Sequence, residues 1–274
     1  MMRFFKRLAG IACAVLALGF AGCANDDDDD DSGNTGNSGS SSAVTKTAPD
    51  AVGDIVLSDG TAVAAENAAS MSDAQKAAAV AVIFYAGSAD DALGEKVLGV
   101  GLQNTRGEST TTLAWYTSSA EGYSTNITAL QCTQTAAVTA DTATFTGTTD
   151  GSGSWATLCA AVSDEDTSGN YPAWEWVNAY VANNGLSSTS YAENWYLPSI
   201  AELTMLYRAK ATVNASLAAA GGTKISRSSY YWSSSQSASN DGCAWNLYFG
   251  SGFLGDWNKS YSNLNGVCCV RAFN

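Results

Sequence analysis

The chain has no histidine in its 274 residues, and its basic residues are scarce. Without histidine, catalytic triads that use an imidazole base and metal sites that use imidazole ligands are both excluded. The 13 Lys and Arg residues stand against 26 Asp and Glu residues, which gives a net charge of −13. A chain this acidic is not expected to bind nucleic acid or an anionic membrane surface.

The first 22 residues have the parts of an export signal. Arg3, Lys6 and Arg7 precede an apolar run over residues 8–20, and small residues lead to Cys23. This order predicts a lipoprotein signal peptide over residues 1–22 and a lipid on Cys23, although Phe20 stands where Leu is usual. An ordinary signal peptide with an incidental Cys23 is the alternative. Cleavage would remove three basic residues and no acidic one, which changes the net charge from −13 to −16.

Residues 23–50 are expected to form a flexible tether. Residues 26–31 are six consecutive aspartates, and Ser, Gly, Asn and Thr dominate the next eleven positions. This composition buries no apolar surface, so it favours a solvated spacer. A cation-binding tail is the alternative, but metal sites need oxygens that converge from a fixed backbone. We therefore expect a membrane-anchored lipoprotein, exposed on the outer membrane, with one folded domain over residues 51–274.

The first half of that domain has the pattern of short strands. Residues 53–60 predict a strand that ends at an Asp-Gly turn, and residues 72–79 predict a short helix that leads into a buried strand over 78–86. Residues 97–102 and 113–116 predict two further strands. Residues 117–150 have no clear period, and we interpret them as an insertion with short strands at best.

The pattern changes to a helical one from Trp155 onward. Residues 155–162 fit one helical face, and a second helix is predicted from Pro172 to the Asn-Gly stop at residues 184–185. Ser199 and Glu202 form a capping box before a third helix, and residues 214–220 are interpreted as a fourth segment. With strands at both ends, the chain is predicted to have an α+β fold whose N- and C-terminal strands pair.

The last stretch, residues 230–273, alternates apolar runs with irregular polar and aromatic loops. We expect the runs to be the frame, with Trp232, Trp245 and Phe249 in the core. Tyr248, Phe253, Trp257 and Tyr261 could pack inside or lie on the surface. Tyr and Trp give rigid contact area while Ser, Gly and Asn adapt, so this composition favours recognition.

Five cysteines remain once Cys13 and Cys23 are assigned to the signal and the lipid; they are Cys132, Cys159, Cys243, Cys268 and Cys269. An odd number cannot all pair within one chain. A Cys132–Cys159 disulfide is one candidate that no sequence rule fixes. Cys268 and Cys269 are neighbours, so on a strand they point to opposite faces and at most one is expected to face the core.

Several motifs resemble a bacterial domain of unknown function that also occurs at the C-terminus of Legionella collagen-like adhesins. They are Trp-Tyr-Leu-Pro-Ser-Ile-Ala-Glu-Leu at 195–203, Tyr-Trp-Ser-Ser-Ser at 231–235, Ala-Trp at 244–245, Asn-Lys at 258–259 and Cys-Val-Arg at 269–271. The resemblance covers about residues 172–273, and the opening at 53–61 also fits it. It implies a C-type-lectin-like fold.

A narrower resemblance is to the treponemal variable lipoproteins of diversity-generating retroelements, which join a lipid anchor, a polar tether and this domain. In such systems template adenines are miscopied, so Asn codons diversify, whereas Trp and Lys cannot arise. The resemblance implies a variable ligand-binding region within 230–273. The permitted residues are Asn240, Asp241, Gly242, Cys243, Asn246, Tyr248, Ser251, Phe253, Asp256, Asn258, Ser260, Tyr261, Ser262 and Leu264. We add Trp257 to this predicted surface, although mutation of adenines cannot produce it.

The predicted function is therefore display of a diversified surface that binds a protein or another surface ligand. A fixed adhesin-like lipoprotein and a carbohydrate-binding one are alternatives, although the sugar-binding motifs of calcium-dependent lectins are absent. Formylglycine-generating enzymes share the fold, but neither a histidine nor an acid–base pair supports catalysis here. We expect no catalytic residue, no metal, no cofactor and no nucleic-acid partner.

Overall fold

The computed structural model describes residues 42–106, 111–136, 139–163 and 165–274. The predicted signal peptide, Cys23 and the tether up to residue 41 lie outside the described residues. Within these ranges, no helix is both long enough and apolar enough to cross a membrane.

The described chain contains twelve strands and five α-helices, together with three short 3-10 helices. The strands are β1 (Thr45–Lys46), β2 (Ile55–Leu57), β3 (Ala62–Val63), β4 (Ala79–Ala86), β5 (Val97–Asn104), β6 (Gln131–Ala136), β7 (Thr144–Gly147), β8 (Tyr230–Ser237), β9 (Cys243–Tyr248), β10 (Phe253–Asn258), β11 (Asn265–Gly266) and β12 (Cys268–Ala272). The helices are α1 (Asp73–Ala78), α2 (Ser154–Ala161), α3 (Pro172–Asn178), α4 (Tyr180–Asn183) and α5 (Ile200–Ala219). Helices and antiparallel strands together confirm the predicted α+β class.

The first sheet is antiparallel, with the strand order β1-β3-β2-β4-β5-β12. It therefore contains strands from both ends of the domain, but they do not pair with each other as predicted. β12 pairs with β5, and β1 lies at the opposite edge. The tether predicted over residues 23–50 is also too long at its C-terminal end. Thr45–Lys46 pairs with β3, and Lys46 forms ion pairs with Asp50 and Asp54.

The second sheet has the order β10-β9-β8-β6-β7, and β11 also pairs with β8. β8 pairs in parallel with both β6 and β11, whereas the other pairings are antiparallel. Residues 117–150, interpreted as an insertion with short strands at best, supply β6 and β7. The short strands are therefore present, but the interpretation as an insertion was wrong because they belong to the second sheet. Short strands rich in Thr carry little hydrophobic period, which is why the sequence did not reveal their place in a sheet.

The first sheet is covered on both faces, because successive strand residues point in opposite directions. In β4, Val82 and Phe84 join a core that includes α5, whereas Ala81 and Ile83 join a second core that includes α2, α3 and α4. Both cores need apolar residues from the same strand. This requirement explains why β4 is a continuous apolar run rather than an alternating one.

Helix α5 begins at the predicted capping box. The Ser199 hydroxyl accepts a hydrogen bond from Glu202 N over 3.1 Å, and the Glu202 carboxylate accepts one from Ser199 N over 2.8 Å. The helix packs against β4 of the first sheet and against β8 and β9 of the second. It continues without a break to Ala219, so the fourth segment predicted over 214–220 is the end of this helix.

The other predictions of local structure in the first half have different outcomes. The short helix, the buried strand and the Asp-Gly turn of the first half are all confirmed. Residues 113–116 form no strand. Among the described residues, their backbone N–H groups bond only to the carbonyl oxygens of Lys259 and Asn265 in the C-terminal region, which is too few bonds for a ladder. We call residues 111–116 the strap.

Candidate functional site

The pairing of β8, β9 and β10 brings aromatic residues onto one face of the second sheet. Tyr248 of β9 lies opposite both Tyr230 of β8 and Phe253 of β10. Trp257, four residues after Phe253, points to the same face because side chains alternate along a strand. Residues that are far apart in sequence therefore converge on this face.

The rings form a continuous row. The Tyr230 centroid lies 4.7 Å from that of Tyr248 and 4.8 Å from that of Trp257. Tyr261 extends the row, with its ring edge-on to Trp257 at 5.6 Å. These separations are those of favourable aromatic pairs, so the rings hold one another in place. We call Tyr248, Tyr230, Trp257 and Tyr261 the aromatic row.

A glycine beneath the row makes this arrangement feasible. A Cβ atom at Gly255 would lie 2.7 Å from Trp257 Nε1 and 3.1 Å from a ring carbon of Phe253. Distances this short are not tolerated without movement of the ring. Gly255 therefore lets the indole lie flat against β10.

Apolar side chains around the row remain open to solvent. Phe253, Tyr261 and Leu264 are 47%, 48% and 41% exposed, and they are three of the five large hydrophobic residues that are exposed in the described part of the chain. Exposed apolar side chains that cluster are a marker of a binding surface. The aromatic row together with Phe253 and Leu264 is named the aromatic surface.

The strap fixes both ends of the loop that carries Tyr261 and Leu264. Trp115 N donates a hydrogen bond to Lys259 O over 2.9 Å, and Leu113 N donates one to Asn265 O over 3.0 Å. Trp232 Nε1 in turn donates to the strap at Leu113 O over 2.8 Å. Residues 260–264 thus project from two fixed points, so their side chains can vary without loss of these bonds.

Lys259 is fully buried at one of these fixed points. Its Nζ donates a hydrogen bond to Gly122 O over 2.9 Å and lies 5.2 Å and 4.9 Å from the ring centres of Trp115 and Tyr116. Burial lowers the pKa of Lys259 to about 8, although Asp241 and Cys243 favour its charged form. The ammonium therefore acts as an internal anchor and not as a ligand contact.

Asn246 is wrongly placed in the predicted binding surface. Its side chain is fully buried, and Nδ2 donates a hydrogen bond to Asn265 Oδ1 over 2.8 Å. The outer face of β9 at this position is covered, since Trp232 lies opposite Asn246 and binds the strap. Asn246 links β9 to β11 and cannot contact a ligand.

The other predicted residues divide by exposure and by face. Those that are exposed are Asn240, Asp241, Ser251, Phe253, Asp256, Asn258, Tyr261, Ser262 and Leu264, and those that are half-buried are Gly242, Cys243, Tyr248, Trp257 and Ser260. Asp256 lies on the opposite face of β10 from Trp257, where it accepts hydrogen bonds from Ser237 and Ser239. The structure therefore gathers the aromatic members into one surface and leaves Asp256 outside it.

Sequence reasoning missed Tyr230, which lies at the centre of the row. It was assigned to the frame, because it begins the Tyr-Tyr-Trp run of β8. Of these three, Tyr231 and Trp232 are fully buried and only Tyr230 is half-exposed. Trp232 and Phe249 are core residues as predicted, but Trp245 is only half-buried, with Nε1 bonded to Cys132 O.

The described cysteines are all unpaired, including both members of the candidate Cys132–Cys159 disulfide. The expectation that only one of Cys268 and Cys269 faces the core was wrong, because the sheet has a core on each side. Cys268 joins one core and Cys269 the other. Burial raises the pKa of Cys268 to about 12 and that of Cys269 well above its ordinary range.

Among the described residues, no group of three Asp, Glu or Cys side chains is placed to hold a metal ion.

The protein thus has an α+β fold, and residues 230–264 of its C-terminal region form an exposed aromatic surface. No protein-family model matches the chain, and no curated protein matches it. A crystal structure of a fimbrial protein from Bacteroides ovatus is similar, with a TM-score of 0.53 and 14% sequence identity. The similarity covers 81% of this chain but only 48% of that protein, so this chain spans about half its length. At this identity the comparison concerns the fold alone.

Proposed function

We propose that the protein is a lipoprotein anchored through Cys23 to the outer membrane, where its aromatic surface binds a protein or another surface ligand. The observation that carries the proposal is the continuous aromatic row, with exposed Phe253 opposite Tyr248 and exposed Leu264 in the loop that carries Tyr261. Aromatic anchors held by neighbouring rings lose little conformational freedom on binding. A C-type-lectin-like scaffold for this surface is part of the proposal.

We also propose that the surface is diversified by a retroelement. Exposed Phe253, Tyr261 and Leu264 are permitted products of mutated Asn codons, whereas the buried anchors Trp232 and Lys259 are not. Asn246 is permitted and buried, but it is the residue that an unmutated codon specifies. Diversification at Phe253, Tyr261 and Leu264 would cost the fold little, because these side chains belong to neither core.

Catalysis is not part of the proposed function. An enzyme of the formylglycine-generating type needs a reactive thiol, and thiol reactivity depends on a low pKa and on access. Cys268 and Cys269 have neither, because both are fully buried and their pKa values are raised.

Sequencing of the gene's 3′ end across a cell population tests diversification. We expect substitutions in the codons for exposed residues such as Phe253 and Tyr261, and none in those for Trp232 or Lys259. A near-identical repeat that differs only at adenines should lie near a reverse transcriptase gene. A uniform population without this repeat would overturn diversification and favour the fixed adhesin-like lipoprotein.

Binding at the aromatic surface is tested separately on intact cells. A photoreactive phenylalanine analogue placed at Phe253 or Tyr261 should crosslink a discrete partner. The same analogue at Val44, which is 74% exposed outside the aromatic surface, is the matched control. Equal crosslinking from Val44 and Phe253 would overturn the assignment of the surface.

A further inference from the structure

A second concave feature lies beside the turn between β8 and β9. It has a volume of about 270 Å³ and is lined by Asn126, Gln131, Ala238, Ser239, Asn240 and Asp241. Five of these six side chains carry hydrogen-bonding groups. One wall comes from residues 126–131 and the other from residues 238–241, and we call the space between them the polar crevice.

A buried glutamine holds the two walls together. Gln236 is fully buried, and its Oε1 accepts a hydrogen bond from Ile127 N over 3.0 Å. Its Nε2 donates to Thr125 O on the same wall and to Asp241 O on the opposite wall, over 3.1 Å and 3.3 Å. Both ends of the amide are therefore used in fixing the width of the crevice. A site fixed before binding loses less conformational entropy when a ligand enters.

Polar groups along the crevice have bonding capacity left. Gln131 Nε2 donates to Asn126 Oδ1, and Asn240 Oδ1 accepts from Gly242 N. Within the described part of the chain, no protein atom bonds to Asn126 Nδ2, Gln131 Oε1, Asn240 Nδ2 or the Asp241 carboxylate. Amide NH2 groups donate, and amide and carboxylate oxygens accept. The lining thus offers donors and acceptors together, which suits hydroxyl groups because each hydroxyl can do both.

Charge restricts the ligand further. The crevice contains one carboxylate and no basic residue, and the chain carries a net charge of −13, so an anion is disfavoured. A divalent cation is also disfavoured, because Ca2+ sites gather several carboxylate and carbonyl oxygens around one point. A neutral ligand with neighbouring hydroxyls meets both restrictions.

We propose that the polar crevice binds a neutral saccharide without a divalent cation, as a site separate from the aromatic surface. Asn126 and Asp241, one on each wall, hold the sugar hydroxyls between them. This proposal does not depend on what binds the aromatic row. Asn240 and Asp241 are themselves permitted products of mutated Asn codons, so the proposal concerns the crevice that this chain's own residues form.

The test uses the full chain in detergent on an immobilised panel of neutral hexoses, pentoses, N-acetylhexosamines and their oligomers, in buffer with EDTA. We expect one class of sugar to bind. The Asn126→Ala/Asp241→Ala double variant should weaken that binding by about tenfold or more, as the loss of charged and neutral hydrogen bonds predicts. Asp241→Asn keeps an acceptor and should retain part of the affinity. The exposed Asn263→Ala is the matched control and should bind as the unchanged chain does.

The other outcomes separate this proposal from the proposed function. Absence of binding to any neutral sugar would overturn the saccharide site and leave the aromatic surface untouched. Sugar binding that is unchanged in the Asn126→Ala/Asp241→Ala double variant would also overturn the saccharide site in the crevice. Binding lost in Phe253→Ser but kept in the double variant would assign the sugar to the aromatic surface and overturn the crevice. Binding that requires added Ca2+ would overturn the cation-free site.

Discussion

The Nζ atom of Lys259 donates a hydrogen bond to the backbone oxygen of Gly122 from a fully buried position, over 2.9 Å. This bond joins the segment after the strap to the start of the exposed loop 260–264. A buried ammonium is costly, and the lowered pKa of Lys259 expresses that cost. The aromatic rings of Trp115 and Tyr116 offset part of it.

Replacement of Lys259 should therefore change how stability depends on pH. Burial lowers the pKa of Lys259 from 10.5 to about 8, so between these values the unfolded chain binds more protons than the folded one. The free energy of unfolding should rise with pH from about 8 upward. Lys259→Met should flatten that rise in urea titrations at pH 7.5–9.5, whereas Lys76→Met, a change at a more exposed lysine, should not. An unchanged slope would contradict the buried charge.

The aromatic surface and the core should respond differently to substitution. Phe253→Ser removes an exposed ring and should change the free energy of unfolding by less than about 0.5 kcal/mol while reducing ligand binding. Trp232→Ala removes a fully buried indole and its bond to Leu113 O, and should cost roughly 3–5 kcal/mol. Trp245→Ala should fall between the two, because Trp245 is half-buried. Thermal melts in the opposite order would contradict the assignment.

Thiol labelling should distinguish the cysteines by burial. Cys132, Cys268 and Cys269 are buried, whereas Cys159 and Cys243 are half-buried. A maleimide reagent should modify Cys159 and Cys243 in the native protein, and the other three only after denaturation, as peptide mass spectrometry would show. Rapid native labelling of Cys269 would contradict its burial and support the enzyme alternative.

Glu202 should make the protein less stable as the pH rises toward neutrality. Burial raises its pKa to about 7, even though Ser199 N, Gly151 N and Tyr196 OH donate hydrogen bonds to it. Nearby Asp150 contributes in the same direction, and Lys96 pairs with that aspartate. The folded protein thus retains a proton that the unfolded chain releases above about 4.5. The free energy of unfolding should fall as the pH rises between these values.

The Glu202→Gln variant tests this directly. A glutamine has nearly the same shape and can accept the two backbone hydrogen bonds, but it does not titrate. Urea titrations from pH 4.5 to 7 should show a slope that is less negative by up to about 1.4 kcal/mol per pH unit. Glu66→Gln, at an exposed glutamate, should leave the slope unchanged. Equal slopes for the two variants would contradict the raised pKa.

Local signals in the sequence predicted local structure well. The capping box of Ser199 and Glu202 marked the start of α5, and the apolar run at 78–86 marked β4, because each signal lies within a few consecutive residues. The place of β6 and β7 in the second sheet was missed, because their Thr-rich residues acquire a face only when β6 pairs with β8. The burial of Cys268 and Cys269 on opposite faces was missed because it needs a sheet covered on both sides.

For the candidate site, the sequence by itself determined which residue types were available. After Tyr230 it supplies aromatic residues separated by small and polar ones, and the chain contains no histidine. Only the tertiary structure decided which of them meet. Strand register placed Tyr230 between Tyr248 and Trp257, and it placed Asn246 opposite Trp232 in a buried position. Register and coverage depend on contacts between residues far apart in the chain, and no local pattern encodes such contacts.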